Sequence, residues 1–199
     1  MMLFVGVDVG AHGGIAIIDD KGRVLRAVAM PTTDQDILDV LFWPSREMPL
    51  LACRAVLEKV ASSPQMGVVS AFSFGGAYRA LRMALTAAQL PFDEVKPFAW
   101  QRRLECLSGG DKNVTKARAQ QLFPGTKIAH STADSLLLAE FGRRQWADSL
   151  TLSSRTSVGA GSGKGRETAT ATAFSTDADA PTAPIESLGD DLGDLFRKE

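Results

Sequence analysis

Leu3-Phe4-Val5-Gly6-Val7-Asp8-Val9-Gly10 is the stretch on which the fold turns. An apolar run ends on an acid, and Ala11-His12-Gly13-Gly14 follows as a tight connection. Leu3 to Val9, Ile15 to Asp19 and Arg23 to Met30 read as three strands, the last two joined through Asp19-Asp20-Lys21-Gly22. Short runs punctuated by Gly-rich turns make a three-stranded meander. Outward from it, a helix is expected over Asp34 to Phe42, a strand over Arg54 to Val60, and a helix over Ser73 to Gln89 with Phe74, Ala77, Leu81, Leu85 and Ala88 at helical spacing. A fifth strand over Asp93 to Pro97 and helices over Trp100 to Leu107, Asn113 to Phe123 and Ser131 to Trp146 complete the series. Strands first, then helices alternating with two more strands, predict an α/β fold with a mixed five-stranded sheet flanked by helices.

Three acids sit inside segments that otherwise read as core. Asp8 ends the first strand, Glu58 lies in Ala55-Val56-Leu57-Glu58-Lys59-Val60 on the same face as Val56 and Val60, and Asp134 opens Ala133-Asp134-Ser135-Leu136-Leu137-Leu138. An isolated carboxylate costs several kcal/mol to desolvate, so acids so placed ask for a compensating cation, and a divalent metal supplies it. Each position also has a plainer reading. Asp8 can cap the turn before Gly10, Glu58 can pair with Lys59 at a sheet edge, Asp134 can close a capping box begun at Ser131, and His130 can be a half-exposed packing residue.

Composition bounds the rest. The 199 residues can bury one sizeable core. The start lacks a cationic leader and Asp8 interrupts its only apolar stretch, so neither a signal nor a spanning helix is expected, and the protein is read as cytoplasmic, of a bacterium or a phage-infected host. Cys53 and Cys106 lack metal-ligand spacing and read as reduced thiols. Residues 1–150 carry 17 Lys and Arg against 15 Asp and Glu, a balance of +2, whereas residues 151–199 carry 5 against 8, a balance of −3. Arg79 to Lys127 is the basic part, nine cations to four acids, which suits a polyanion or a solvated helical face equally. Beyond Leu150 the Gly-, Ser-, Thr- and Ala-rich sequence has little large apolar surface, so 1–150 is expected to be the ordered domain and 151–199 a disordered tail. Its end, Asp194-Leu195-Phe196, is either a solubilising terminus or a short peptide docking on a replication partner, since it loosely resembles the Leu-Phe ends of peptides that bind bacterial sliding clamps.

Six motifs in order carry a family resemblance. Val7-Asp8-Val9-Gly10 with Gly13-Gly14, Leu57-Glu58-Lys59-Val60, Ser73-Phe74-Gly75, Lys96-Pro97-Phe98-Ala99-Trp100, Asp111-Lys112 leading to Gln121-Leu122-Phe123-Pro124, and His130-Ser131-Thr132-Ala133-Asp134 resemble the RuvC-type Holliday junction resolvases, most of all phage and prophage members, over about residues 3 to 147. The resemblance implies a ribonuclease H-like fold, metal-dependent phosphodiester hydrolysis, and a homodimer that nicks two strands of a four-way DNA junction symmetrically. It implies that Asp8, Glu58 and Asp134 are the catalytic metal ligands and that His130, four residues before Asp134 where some bacterial members have three, fills the fourth position.

Phosphodiester hydrolysis needs an activated water and a stabilised leaving oxygen, which two Mg²⁺ ions supply, with Mn²⁺ as the softer alternative. Asp8 on the central strand is the expected bridging ligand, Glu58 and Asp134 each hold one ion, and His130 orients or deprotonates the water or ligates Mn²⁺. For DNA, Lys112, Lys116 and Arg118 lie near one helix start, Arg79 and Arg82 share a side of another, and Phe72 and Phe74 are the candidates for stacking on an unpaired base. Rival readings are a sugar-kinase or actin-like phosphate loop, which needs two such domains, a branched-DNA-binding protein that does not cut, and a nuclease preferring forks and flaps.

Overall fold

The computed structural model describes residues 1–47, 52–61, 63 and 65–158. Its strands are β1 (Leu3–Asp8), β2 (Gly14–Asp19), β3 (Val24–Ala29), β4 (Cys53–Glu58) and β5 (Phe92–Val95), and its helices α1 (Asp34–Glu47), α2 (Val68–Ala87), α3 (Pro97–Arg103), α4 (Lys112–Leu122) and α5 (His130–Val158). The sheet runs β3-β2-β1-β4-β5, with β1 in the middle. β2 pairs antiparallel with β1 and β3, while β4 pairs parallel with β1 and β5. This is the mixed five-stranded sheet flanked by helices that the element order predicts.

Every residue of β1 and β2 is buried, because helices cover both faces. On one face Leu3, Val5, Val7, Ile15, Ile17, Ala55 and Leu57 form a core with Val40 and Leu41 of α1 and Leu81, Ala84 and Leu85 of α2. On the other, Phe4, Ala16, Ile18 and Val56 pack with Trp100, Ala119 and the stripe Ala133, Leu136, Leu137 of α3, α4 and α5. Burial on both faces is why the central strands read as unbroken apolar runs. The two-residue period puts Asp8 on the α5 face with Phe4, and Glu58 on that face with Val56.

Two glycines let α5 lie directly on the sheet. A Cβ on Gly6 would sit 2.0 Å from the Ser135 carbonyl oxygen and 2.4 Å from the Ala139 nitrogen, and one on Gly14 would sit 2.3 Å from the Ser131 carbonyl oxygen. Only a residue without a side chain admits this approach.

Several boundaries differ from the sequence expectation. α1 passes Pro44 and ends at Glu47, since burial of Pro44 offsets the backbone bond that proline removes. α2 starts at Val68, five residues before Ser73, because its first turns expose Val68, Val69 and Phe72 and leave no amphipathic signature. α3 starts at Pro97, whose fixed φ suits a first helical position, and stops before Glu105, whose φ is +57°. α5 crosses Leu150 without a break and continues to Val158, a helix already nucleated on the core adding one bond per residue. Residues 151–158 are therefore helical, not a coil tail, and 159–199, with the Asp194-Leu195-Phe196 end, lie outside the described residues. Among the described residues no helix is long and apolar enough to cross a membrane. Cys53 and Cys106 are both buried, and burial raises both thiols, that of Cys106 to about 11.

Candidate active site

Strand register brings the first two acids together. β1 and β4 pair in parallel up to Val7 beside Leu57, so the next step sets Asp8 and Glu58 side by side at the ends of neighbouring strands. Their carboxyl groups hydrogen-bond each other, and the Trp100 indole Nε1 donates to Glu58 Oε1 at 3.0 Å. Asp134 enters from the second turn of α5, held over this end of the sheet by the contacts at Gly6 and Gly14. Its Oδ1 is buried and has no hydrogen-bond partner.

Packed this way, Asp8 and Glu58 hold their protons more tightly than free carboxyl groups do. Asp8, 5% exposed, is pushed up to about 8, by burial first and then by the charges of Glu58 and Asp134, with Lys112 opposing. Glu58 is also raised, by burial above all and by Asp134, against the hydrogen bonds from Trp100 and Asp8 and the charge of Lys112. Among the described residues no three His, Cys, Asp or Glu side chains converge closely enough to enclose an ion as they stand. The chemistry of the set nevertheless fits a hard divalent cation: the donors are carboxylate oxygens, one buried oxygen has no partner, and the charge is only partly offset by Lys112.

His130 is the first residue of α5, exposed, one turn before Asp134, with Nε2 3.2 Å from Asn113 Oδ1. An amide oxygen only accepts, so a neutral His130 ring in this contact leaves Nδ1 as its lone pair. The helix start is held by Thr132, whose Oγ1 accepts from the Ala129 N–H at 3.2 Å, and not by a Ser131–Asp134 capping box. His12, Lys112, His130 and Ser131 line an open cleft of about 450 Å³. A separate cavity of about 260 Å³ under Arg54, Val56, Gly142 and Trp146 lies at the start of β4, the end away from Glu58.

The remaining candidates fall into two groups. The charge of exposed Lys112 bears on Asp8 and Glu58, and Lys116 follows one turn later, half-exposed on the same helix, whose N-cap Asp111 accepts from the Asn113 N–H at 2.9 Å. Arg118 is engaged within the fold, donating to the Leu104 carbonyl at 2.8 Å, to Gln121 and to Glu105. Arg82 pairs with Glu94, Nε to Oε1 at 2.8 Å, at an angle outside hydrogen-bond geometry, and its guanidinium stands 6.0 Å from the Tyr78 ring. Arg79 is exposed on α2. Phe72 is 84% exposed, whereas Phe74 is half-buried against the α1–α2 core, its ring edge 3.6 Å from where a Gly10 Cβ would lie. Sequence reasoning did not assign Trp100 its contact with Glu58, nor His12 and Asn113 their places beside His130. The chance of finding His12 lay in its place in the loop after Asp8, where side chains at the end of a central strand gather.

No protein-family model and no curated protein matches the sequence. Solved structures do match the fold. A Thermus thermophilus RuvC structure superposes with a TM-score of 0.56 at 18% identity, covering 73% of this chain and 97% of that one. T. thermophilus RuvC in complex with a Holliday junction substrate superposes with a TM-score of 0.55 at 17% identity, covering 73% of this chain and 96% of that one. The fold is thus RuvC-like, of the ribonuclease H type.

Proposed function

We propose that the protein is a metal-dependent endonuclease that resolves four-way DNA junctions by paired symmetrical nicks. The observation that carries this reading is the cluster of buried Asp8 with half-buried Glu58 and Asp134 at one end of a RuvC-like sheet, where an Asp134 oxygen is buried without a partner and burial and the other two acids raise the proton affinity of Asp8. The metal-ligand set is Asp8, Glu58 and Asp134, with His130 as the fourth member. Two Mg²⁺ ions bound there, or Mn²⁺, would acidify the attacking water and stabilise the leaving 3′ oxygen.

The chain's own residues do the rest. Asp8, on the most constrained strand, is the ligand positioned between Glu58 and Asp134. His130 lies in the solvent-open cleft a turn from Asp134, where a ring nitrogen can take the proton of an attacking water. Lys112, on the other wall, holds a phosphate oxygen, and Lys116 extends the contact along the backbone. Phe72, exposed on α2, is the side chain available to stack on a base unpaired at the crossover, while Phe74 packs. Arg79 is the freer of the two α2 arginines for DNA.

A mobile synthetic four-way junction incubated with Mg²⁺, beside linear duplex, single strand, fork, flap and RNA–DNA hybrid, tests the proposal. Symmetrical nicks in the junction alone are expected. Binding without cutting, or cutting of every substrate alike, would overturn it.

A further inference from the structure

We propose that Trp100 is a positioning residue of the metal centre: its indole N–H holds Glu58 Oε1, so that Glu58 turns its other oxygen, Oε2, to the cation. This rests on the metal-nuclease reading above. Nε1 lies 3.0 Å from Oε1, across 42 residues of sequence. An indole N–H is a donor only, so it neither ligates a cation nor exchanges roles with the carboxylate. What it does at Glu58 is remove a rotational freedom.

The donor stands on a rigid frame. Trp100 is wholly inaccessible and the bulkiest such side chain among the described residues, in the cluster that includes Leu104, Ala119, Phe123 and Ile128. Pro97 sets the entry of α3, and the Lys59 N–H bonds the Val95 carbonyl at 2.7 Å, tying the end of β4 to the strand from which α3 departs. The direction of the N–H is therefore set by packing, and Glu58 is oriented relative to Asp8 before any ion arrives. Side chains that orient a ligand in this way typically change metal affinity by roughly 10- to 100-fold when removed.

The test uses the full chain, with free Mn²⁺ measured by electron paramagnetic resonance during titration and melting recorded in EDTA. Trp100→Phe removes the donor but also shrinks a core side chain. Replacing Trp100 by 3-benzothienylalanine keeps the shape and substitutes sulfur for the N–H, so a packing effect separates from a positioning effect. Mn²⁺ affinity is expected to fall by about tenfold or more in both proteins, with the melting temperature of the benzothienylalanine protein in EDTA unchanged. Affinity within about twofold of wild type in that protein overturns the proposal. Weakening by Glu58→Gln without weakening at position 100 overturns the role of Trp100 alone; a wild type that binds no Mn²⁺ overturns the metal reading with it.

Discussion

Asp8 in the metal-free protein carries a proton that water would not leave on it. Its carboxyl is raised from 3.8 to about 8 in the fold, so between those values the native state binds more protons than the unfolded chain, and stability falls as pH rises through that window. The effect is on the order of a few kcal/mol. Asp8→Asn is expected to remove this dependence, so its advantage in melting temperature over the wild type in EDTA should widen from pH 4 to pH 8; a constant gap would contradict it. A cation bound at the proposed site would displace the same proton, so Mg²⁺ or Mn²⁺ affinity should rise with pH through about 8 and binding should release protons, which calorimetry in buffers of differing ionisation enthalpy detects. Asp8→Asn, Glu58→Gln and Asp134→Asn should each lower junction cleavage by on the order of a thousandfold. Junction affinity in gel shifts should stay equal or rise, because less negative charge faces the phosphates. A variant that cuts normally removes its residue from the site.

At the scale of elements, the site depends on how closely α5 approaches β1. Gly6→Ala would press a methyl group into the Ser135 carbonyl and the Ala139 amide, backbone atoms that have no rotamer to escape into. We expect a loss of about 3 kcal/mol or more in denaturant unfolding. Cleavage should fall further than stability predicts when assayed at a temperature where the variant is folded, because α5 carries Asp134 and moves away from Asp8. Unchanged stability would show that α5 does not rest on this strand. α2 differs in kind: Val68, Val69 and Phe72 project outward, and Gly75 and Gly76 leave a flat surface beside them. The part of this helix from Ser73 on is our proposed interface of a homodimer, the state that two symmetry-related cuts require, with Phe72 outside it and left for DNA. Light scattering that finds a monomer both free and junction-bound defeats that assignment.

For the molecule as a whole, the proposed division is a nuclease domain followed by a tail that tethers a terminal peptide. The helix through Val158 sets where the division is best tested. Removal of 159–199, whose composition is too poor in large apolar groups to add to a core, should leave unfolding free energy within about 0.5 kcal/mol of the full chain and junction cleavage intact. Loss of folding or cutting would put the tail inside the nuclease. Net charge points the same way, since the acids at the end of the chain would weaken non-specific attraction to DNA.

The order of strands and helices, the central place of the Leu3–Asp8 strand and the presence of three acids in core-like segments, which the fold brings together, were legible in the sequence. Each follows from local periodicity or from a charge set among apolar neighbours, and both are properties of consecutive residues. Helix ends were less so: the turns at Val68 are exposed and carry no periodic signal, and a proline at position 44 reads as a stop although the helix runs through it. The engagement of Arg118 with Leu104 and Glu105, the pairing of Arg82 with Glu94, the packing of Phe74 beside Gly10 and the hydrogen bond from Trp100 to Glu58 were decided by tertiary structure alone. Charge and aromaticity are written in the chain, but whether a side chain faces solvent, a partner or a ligand depends on which distant segment folds against it.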